Sequence, residues 1–450
     1  MKRILSLITA AAILFAAFSV STFADAKLPD IDSLSKLKAL SVYSVDSMIE
    51  LYGSNENMTV APGATVKLMT AILALEHFDG RLDETITVGD AAVKETVGTS
   101  LGLIAGETLS VKELLTALIV GGANDAALVF AHEITGSTDE FCKLMNEKAK
   151  AIGADDTVYK NPCGIDADGM KTTASDTAKI AVYAYKLSGF KETASITRFV
   201  MSATNKSGKR VVHNRNYLLS TNIELKYYDS RAIGMNTGYT ANSGFCTVSA
   251  AEKDGLSYIF VVLGGIKDEN GDNSSFYAVS ELISETLGSF GYVTVLDAGS
   301  ILRELPVALA KNVDYVTVAP EYKVDYFLPL DIDISTEITY EPHYYNDTLT
   351  APIHEGQQVG SIDIIYKGET ISTVPIVTVN NVSASSFLRA LDYLKNLIKS
   401  RQIRILLIVF AVLFSAYLML SYIDYRRRRK KDNRTFKPLQ KWCRSGSRHL

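Results

Sequence analysis

The sequence predicts an α+β protein: an antiparallel sheet with an inserted helical region, then a small β-rich domain and one C-terminal transmembrane helix. Three observations carry this. Period-two alternation marks short strands near residues 41–52 and again over 233–264, with helical patterns between them. After about Tyr292 the helical period fades and short alternating runs replace it. Residues 405–423 form an uncharged run of nineteen, which matches the ~30 Å core of a bilayer.

In chain order, Lys2 and Arg3 precede an apolar run over 4–23 that closes at Ala24-Asp25-Ala26, the three regions of a secretory signal over 1–26. A polar linker leads to two β-rich runs, 41–45 and 49–52, which predict a hairpin around Asp46-Ser47. Pro62 closes a loop, and the apolar residues 66–75 are long enough for a buried helix whose first turn Thr65 or Gly63 would cap. Lys67 sits just inside that helix, where its charge opposes the positive potential of the N-terminus. Acyl-transfer enzymes tolerate this conflict when the lysine serves a serine three residues earlier. Here that residue is Ala64.

Residues 80–106 read as loop-rich, with 85–88 the clear strand. Ser110 and Glu113 form a capping-box pattern ahead of a helix whose buried face is Leu114, Leu115, Leu118 and Ile119. Residues 121–127 interrupt that helical run before a second one that reaches about Ile134. Helices are expected over 139–152, 174–187 and 275–290, with a turn-rich segment at 161–169. Residues 245–252 and 256–264 flank Lys253-Asp254-Gly255 as a second hairpin. Short strands at 315–318, 324–328, 361–365 and 373–379 make up the β-rich domain, and a helical stalk over 384–400 enters the span.

With 450 residues, 47% apolar and 21% charged, the chain has room for two or three domains with real cores. Charge is segregated. Residues 426–450 hold eleven Lys/Arg against one Asp, so the formal net charge of −4 leaves about −14 on everything before them. An acidic body excludes nucleic acid as its partner. The basic run directly after the span predicts a cytoplasmic tail in contact with anionic lipid. That leaves Cys142, Cys163 and Cys246 outside and Cys443 inside. Their spacing is neither a disulfide framework nor a metal motif, and one bridge or three free thiols both stay open. The six histidines include no H-x-x-x-H pair, so no metal and no cofactor is assigned.

Several stretches occur together over 40–382: residues 62–70, Gly106-Glu107-Thr108-Leu109, Ala123-Asn124-Asp125-Ala126-Ala127, Asn161-Pro162, Asn214-Arg215-Asn216, Thr237-Gly238-Tyr239-Thr240, and Ala351-Pro352 with Gly356 and Gly360. In order and spacing they resemble the serine D-Ala-D-Ala carboxypeptidases, the low-molecular-weight penicillin-binding proteins of bacterial cell walls. The resemblance implies a transpeptidase/β-lactamase-like domain and then a β-rich domain near the membrane. It also implies three clustered motifs. S-x-x-K supplies nucleophile and base, S-x-N a second hydroxyl and an amide, and K-T-G a cation for the substrate's terminal carboxylate. The matching positions here are Ala64-Thr65-Val66-Lys67, Gly122-Ala123-Asn124 and Asn236-Thr237-Gly238. Lys67, Asn124, Thr237 and Gly238 keep the family's residues, while Ala64, Gly122 and Asn236 do not.

Losing a serine nucleophile lowers turnover on the order of a million-fold. Replacing the carboxylate-binding lysine removes a charge-assisted hydrogen bond of about 1.5–3 kcal/mol. Thr65 does not substitute, because it lies ~100° round the helix from Ala64 and on nearly the opposite face from Lys67. Ser100 reads as a loop hydrogen-bonding residue. Without its catalytic partners, Lys67 is expected to snorkel or to pair with a carboxylate, and Asn124 to tie loop backbone.

The expected protein is therefore a membrane-anchored pseudoenzyme, exported and held at the cell membrane, that binds peptidoglycan stem peptide or scaffolds cell-wall enzymes. Two alternatives stand beside it: an active carboxypeptidase with a rearranged nucleophile, and a structural spacer without a ligand. The expected layout is signal 1–26, carboxypeptidase-like domain 40–291, β-rich domain 293–382, stalk 384–402, transmembrane helix 403–423 and basic tail 424–450.

Overall fold

The computed structural model describes residues 32–435. The signal expected over 1–26, Cys443 and the tail past 435 lie outside the described residues. The described residues divide into two compact units: 32–293 together with 326–332, and 294–325 together with 333–435.

In the first unit, β1 (Ala39–Ser44) and β2 (Glu50–Ser54) form the expected antiparallel hairpin. A 3-10 turn over Gly63–Thr65 feeds α1 (Val66–His77). β3 (Thr85–Thr87) pairs with β4 (Thr108–Ser110), and between them lies α2 (Asp90–Glu95), in a region the sequence reads as loop. Six residues are too few to display a helical period. α3 (Val111–Ile119) opens on the complete capping box, with Ser110 and Glu113 each accepting from the other's backbone N–H. The helical insert continues with α4 (Asn124–Thr135), α5 (Thr138–Ile152), α6 (Ala174–Lys186) and α7 (Phe190–Ala194).

A hairpin that the sequence does not announce follows, β5 (Arg198–Met201) with β6 (Arg210–His213). The chain then completes the sheet with β7 (Ala232–Thr240), β8 (Gly244–Lys253) and β9 (Leu256–Gly265). Asp254 and Gly255 take φ of 53° and 81°, the paired positive values that a tight hairpin turn needs. The helix expected over 275–290 is shorter, α8 (Ser274–Thr286); Gly288 at φ 100° breaks it, and a strand begins at Phe290.

The five-stranded antiparallel sheet runs β2-β1-β9-β8-β7, so both ends of the unit meet at its centre and β7 is an edge. Every residue from Tyr258 to Leu263 in β9 is buried, which requires cover on both faces. Ile259, Val261 and Leu263 join the helical core, and α8 packs on β8 and β9. α1 is buried on all sides through its first ten residues and is packed by α3, α4, α5 and α6. It is the core helix its uniform hydrophobicity predicts.

The second unit is built on a six-stranded sheet whose members include Arg303–Ala308, Tyr315–Pro320, Gln358–Tyr366 and Glu369–Thr378. Strand Ile338–Tyr344 forms one edge; all but its ends are exposed, so no alternation betrays it in the sequence. The predicted stalk is helix Ser386–Lys399, which is followed at once by Arg401–Thr435. Within the latter, Arg401–Arg429 is long and apolar enough to cross a membrane.

Candidate functional site

α1 begins without a side-chain cap. Thr65, one of the two expected caps, is the N-cap residue, but its hydroxyl makes no cap bond and instead donates back to the Pro62 carbonyl at 2.8 Å. Two residues on, Lys67 is 5% exposed and its ammonium donates to the Cys163 carbonyl at 2.5 Å. It neither snorkels nor pairs with a carboxylate among the described residues, which corrects both expectations. Burial pushes its pKa down to about 8, and the Arg215 guanidinium adds to the effect while Cys163 opposes it.

A loop delivers that carbonyl. Asn161 Oδ1 accepts from the backbone N–H groups of Cys163, Gly164 and Ile165 at 3.1, 2.8 and 3.1 Å, closing a tight turn. Thr70, one turn beyond Lys67, donates to the Pro162 carbonyl at 2.8 Å, so two positions on one face of α1 clamp the loop. Gly164 allows the fit: a Cβ there would come 1.9 Å from the Gly63 carbonyl oxygen. The Cys163 thiol contacts the Asn124 carbonyl at 3.5 Å, which ties α4 to the same point. Burial pushes this thiol up to about 12, far from the thiolate form.

Around Lys67 the other positions take their places. Gly238 on β7 abuts Ala64 so closely that a Cβ on it would lie 2.4 Å from the alanine methyl. Thr237 spends its hydroxyl on the neighbouring strand, 3.0 Å from the Cys246 carbonyl. Asn236 is 4% exposed with an Oδ1 that has no hydrogen-bond partner among the described residues. Asn124 donates to the Val97 carbonyl at 2.7 Å, the expected loop tie, while its buried Oδ1 is also unpartnered. Gly122 adopts φ 65°, and a Cβ there would meet Arg215 Cδ at 3.0 Å. Ser100 donates to Asp125 at 2.6 Å. Cys142, Cys163 and Cys246 are free and buried.

Four contributors had no assigned role in the sequence: Arg215, Asn161, Asp125 and the Cys163 carbonyl. Asp125 accepts from Ser100 and from the N–H groups of Leu101, Gly102 and Leu103, so it shapes the loop that faces α4. Turn residues at 161–162 signalled a turn, but nothing local says that it lands on Lys67.

The D-alanyl-D-alanine carboxypeptidase family model matches residues 35–267, and the model of the penicillin-binding protein 5 C-terminal domain matches 290–384. The chain belongs to the D-alanyl-D-alanine carboxypeptidase family. Among curated members of that family, D-alanyl-D-alanine carboxypeptidase DacF of Bacillus subtilis is 27% identical over 396 residues, covering 86% of this chain and 96% of its own. D-alanyl-D-alanine carboxypeptidase DacC of Escherichia coli is 28% identical over 345 residues, covering 74% and 81%. The crystal structure of D-alanyl-D-alanine carboxypeptidase DacD from Francisella tularensis superposes with a TM-score of 0.60 at 24% identity, covering 78% of this chain and 94% of that one, which speaks to the fold.

Proposed function

We propose that this member of the carboxypeptidase family is a membrane-anchored, non-catalytic protein of peptidoglycan metabolism that binds stem peptide in its cleft. The observation that carries the reading is the setting of Lys67. Its ammonium bonds a backbone carbonyl, the residue three before it is Ala64, and the hydroxyls of Thr65 and Ser100 are committed elsewhere. A base without a nucleophile does not form an acyl-enzyme. The edge strand β7 remains open to an extended peptide, which supports binding by strand addition.

We assign the ligand site to Ala64, Lys67, Gly122, Asn124, Asn236, Thr237 and Gly238. The domain layout is proposed with the bounds given above, including export by 1–26 and a cytoplasmic tail over 424–450. A rearranged nucleophile has one supporting observation, the Cys163 thiol within electrostatic range of Lys67. Its burial and raised pKa count against attack on a substrate. Titrating a labelled muropeptide into the full chain in detergent tests the proposal. Saturable binding without release of D-Ala is expected. D-Ala release would make the chain an enzyme, and no binding above that of an unrelated acidic protein would make it a spacer.

A further inference from the structure

We infer that the cleft takes a peptide whose C-terminal group is an uncharged amide in place of a free carboxylate; this rests on the peptide-binding reading above. The residue that decides it is Asn236. Positions 236 and 238 of β7 share one face, since pairing with β8 is regular from Asn236 to Thr240 and side chains alternate along a strand. Gly238 presses that face against Ala64 at the start of α1, one turn from Lys67. Asn236 therefore stands on the wall of the cleft, on the strand whose outer edge is unpaired among the described residues.

Its side chain is an amide with no charge, and its Oδ1 is buried without a donor. On α4, Asn124 carries a second buried oxygen in the same condition among the described residues. Buried acceptors in this state call for N–H groups. A carboxylate brings none and sets lone pair against lone pair, whereas a carboxamide brings two donors and an acceptor that answers the Asn236 amide group for group. The Arg215 side chain lies against Gly122, ahead of α4.

The test uses the full chain in detergent micelles and two fluorescein-labelled L-Lys-D-Ala-D-Ala peptides, one a free acid and one a C-terminal carboxamide, with affinities read by fluorescence anisotropy. The carboxamide is expected to bind at least about tenfold more tightly. N236K restores a cation and is expected to reverse that order. N236A removes an unpartnered buried oxygen without adding bulk, is expected to fold even where the lysine variant does not, and is expected to bring the ratio near one. A free acid that binds as tightly as the carboxamide, or a ratio unchanged in N236A, would overturn this inference and leave the peptide-binding reading intact. No binding of either peptide would overturn both. D-Ala release from the acid would show that the wild-type cleft accepts a carboxylate end, and would likewise defeat it.

Discussion

Lys67 is the costly residue of this fold. Its amine titrates near 10.5 in the unfolded chain and near 8 in the folded one, because burial and the Arg215 charge disfavour the ammonium. Between those values the unfolded chain binds more protons, so stability rises with pH; below about 8 the penalty is fully present. Wild type is therefore expected to gain on K67M by up to about 3 kcal/mol between pH 8 and 10.5. Paired denaturant titrations across that range check it, and a pH-independent gap would show that charge burial is not what Lys67 carries. The i, i+3 relation of Ala64 and Lys67 was legible in the sequence because it is local. The partners that define the site were not. The Cys163 carbonyl lies 96 residues away, and Arg215 reaches Gly122 only through the tertiary fold.

Among the elements, the long buried helix α1 and the β8–β9 hairpin declared themselves through period and turn chemistry. The β5–β6 hairpin did not, since its strands are four residues each and carry exposed Val200 and Val211. What holds it is a buried ion pair. Arg210 reaches Glu107 with bonds of 2.5 and 3.0 Å, and Thr204 and the Ile104 N–H add two more to the same carboxylate. Burial alone would raise the Glu107 pKa, but these bonds, led by Arg210, hold it below the usual range. R210A would leave that carboxylate buried without its cation and is expected to cost about 3–5 kcal/mol. A carboxyl with a lowered folded pKa stabilises above its unfolded value and loses that contribution as pH falls through the lowered one. The gap between wild type and R210A, followed by urea denaturation, should thus narrow in acid. A gap that stays constant or widens would contradict this origin.

For the whole molecule, charge and hydropathy made the second unit's C-terminal helices readable in advance, while an edge strand with exposed faces, Ile338–Tyr344, stayed hidden. Arg401–Arg429 should hold the chain in the membrane through alkaline carbonate extraction, whereas a chain ending at Ser385 should be released. Retention of the shortened chain would move the anchor elsewhere. The central claim is that a cleft of this family, retaining Lys67 but lacking an available hydroxyl beside it, forms no covalent intermediate. Intact-mass spectrometry of the full chain after incubation with excess penicillin tests it most directly. The account predicts an unchanged mass; a stoichiometric penicilloyl adduct on any residue of the cleft would contradict it.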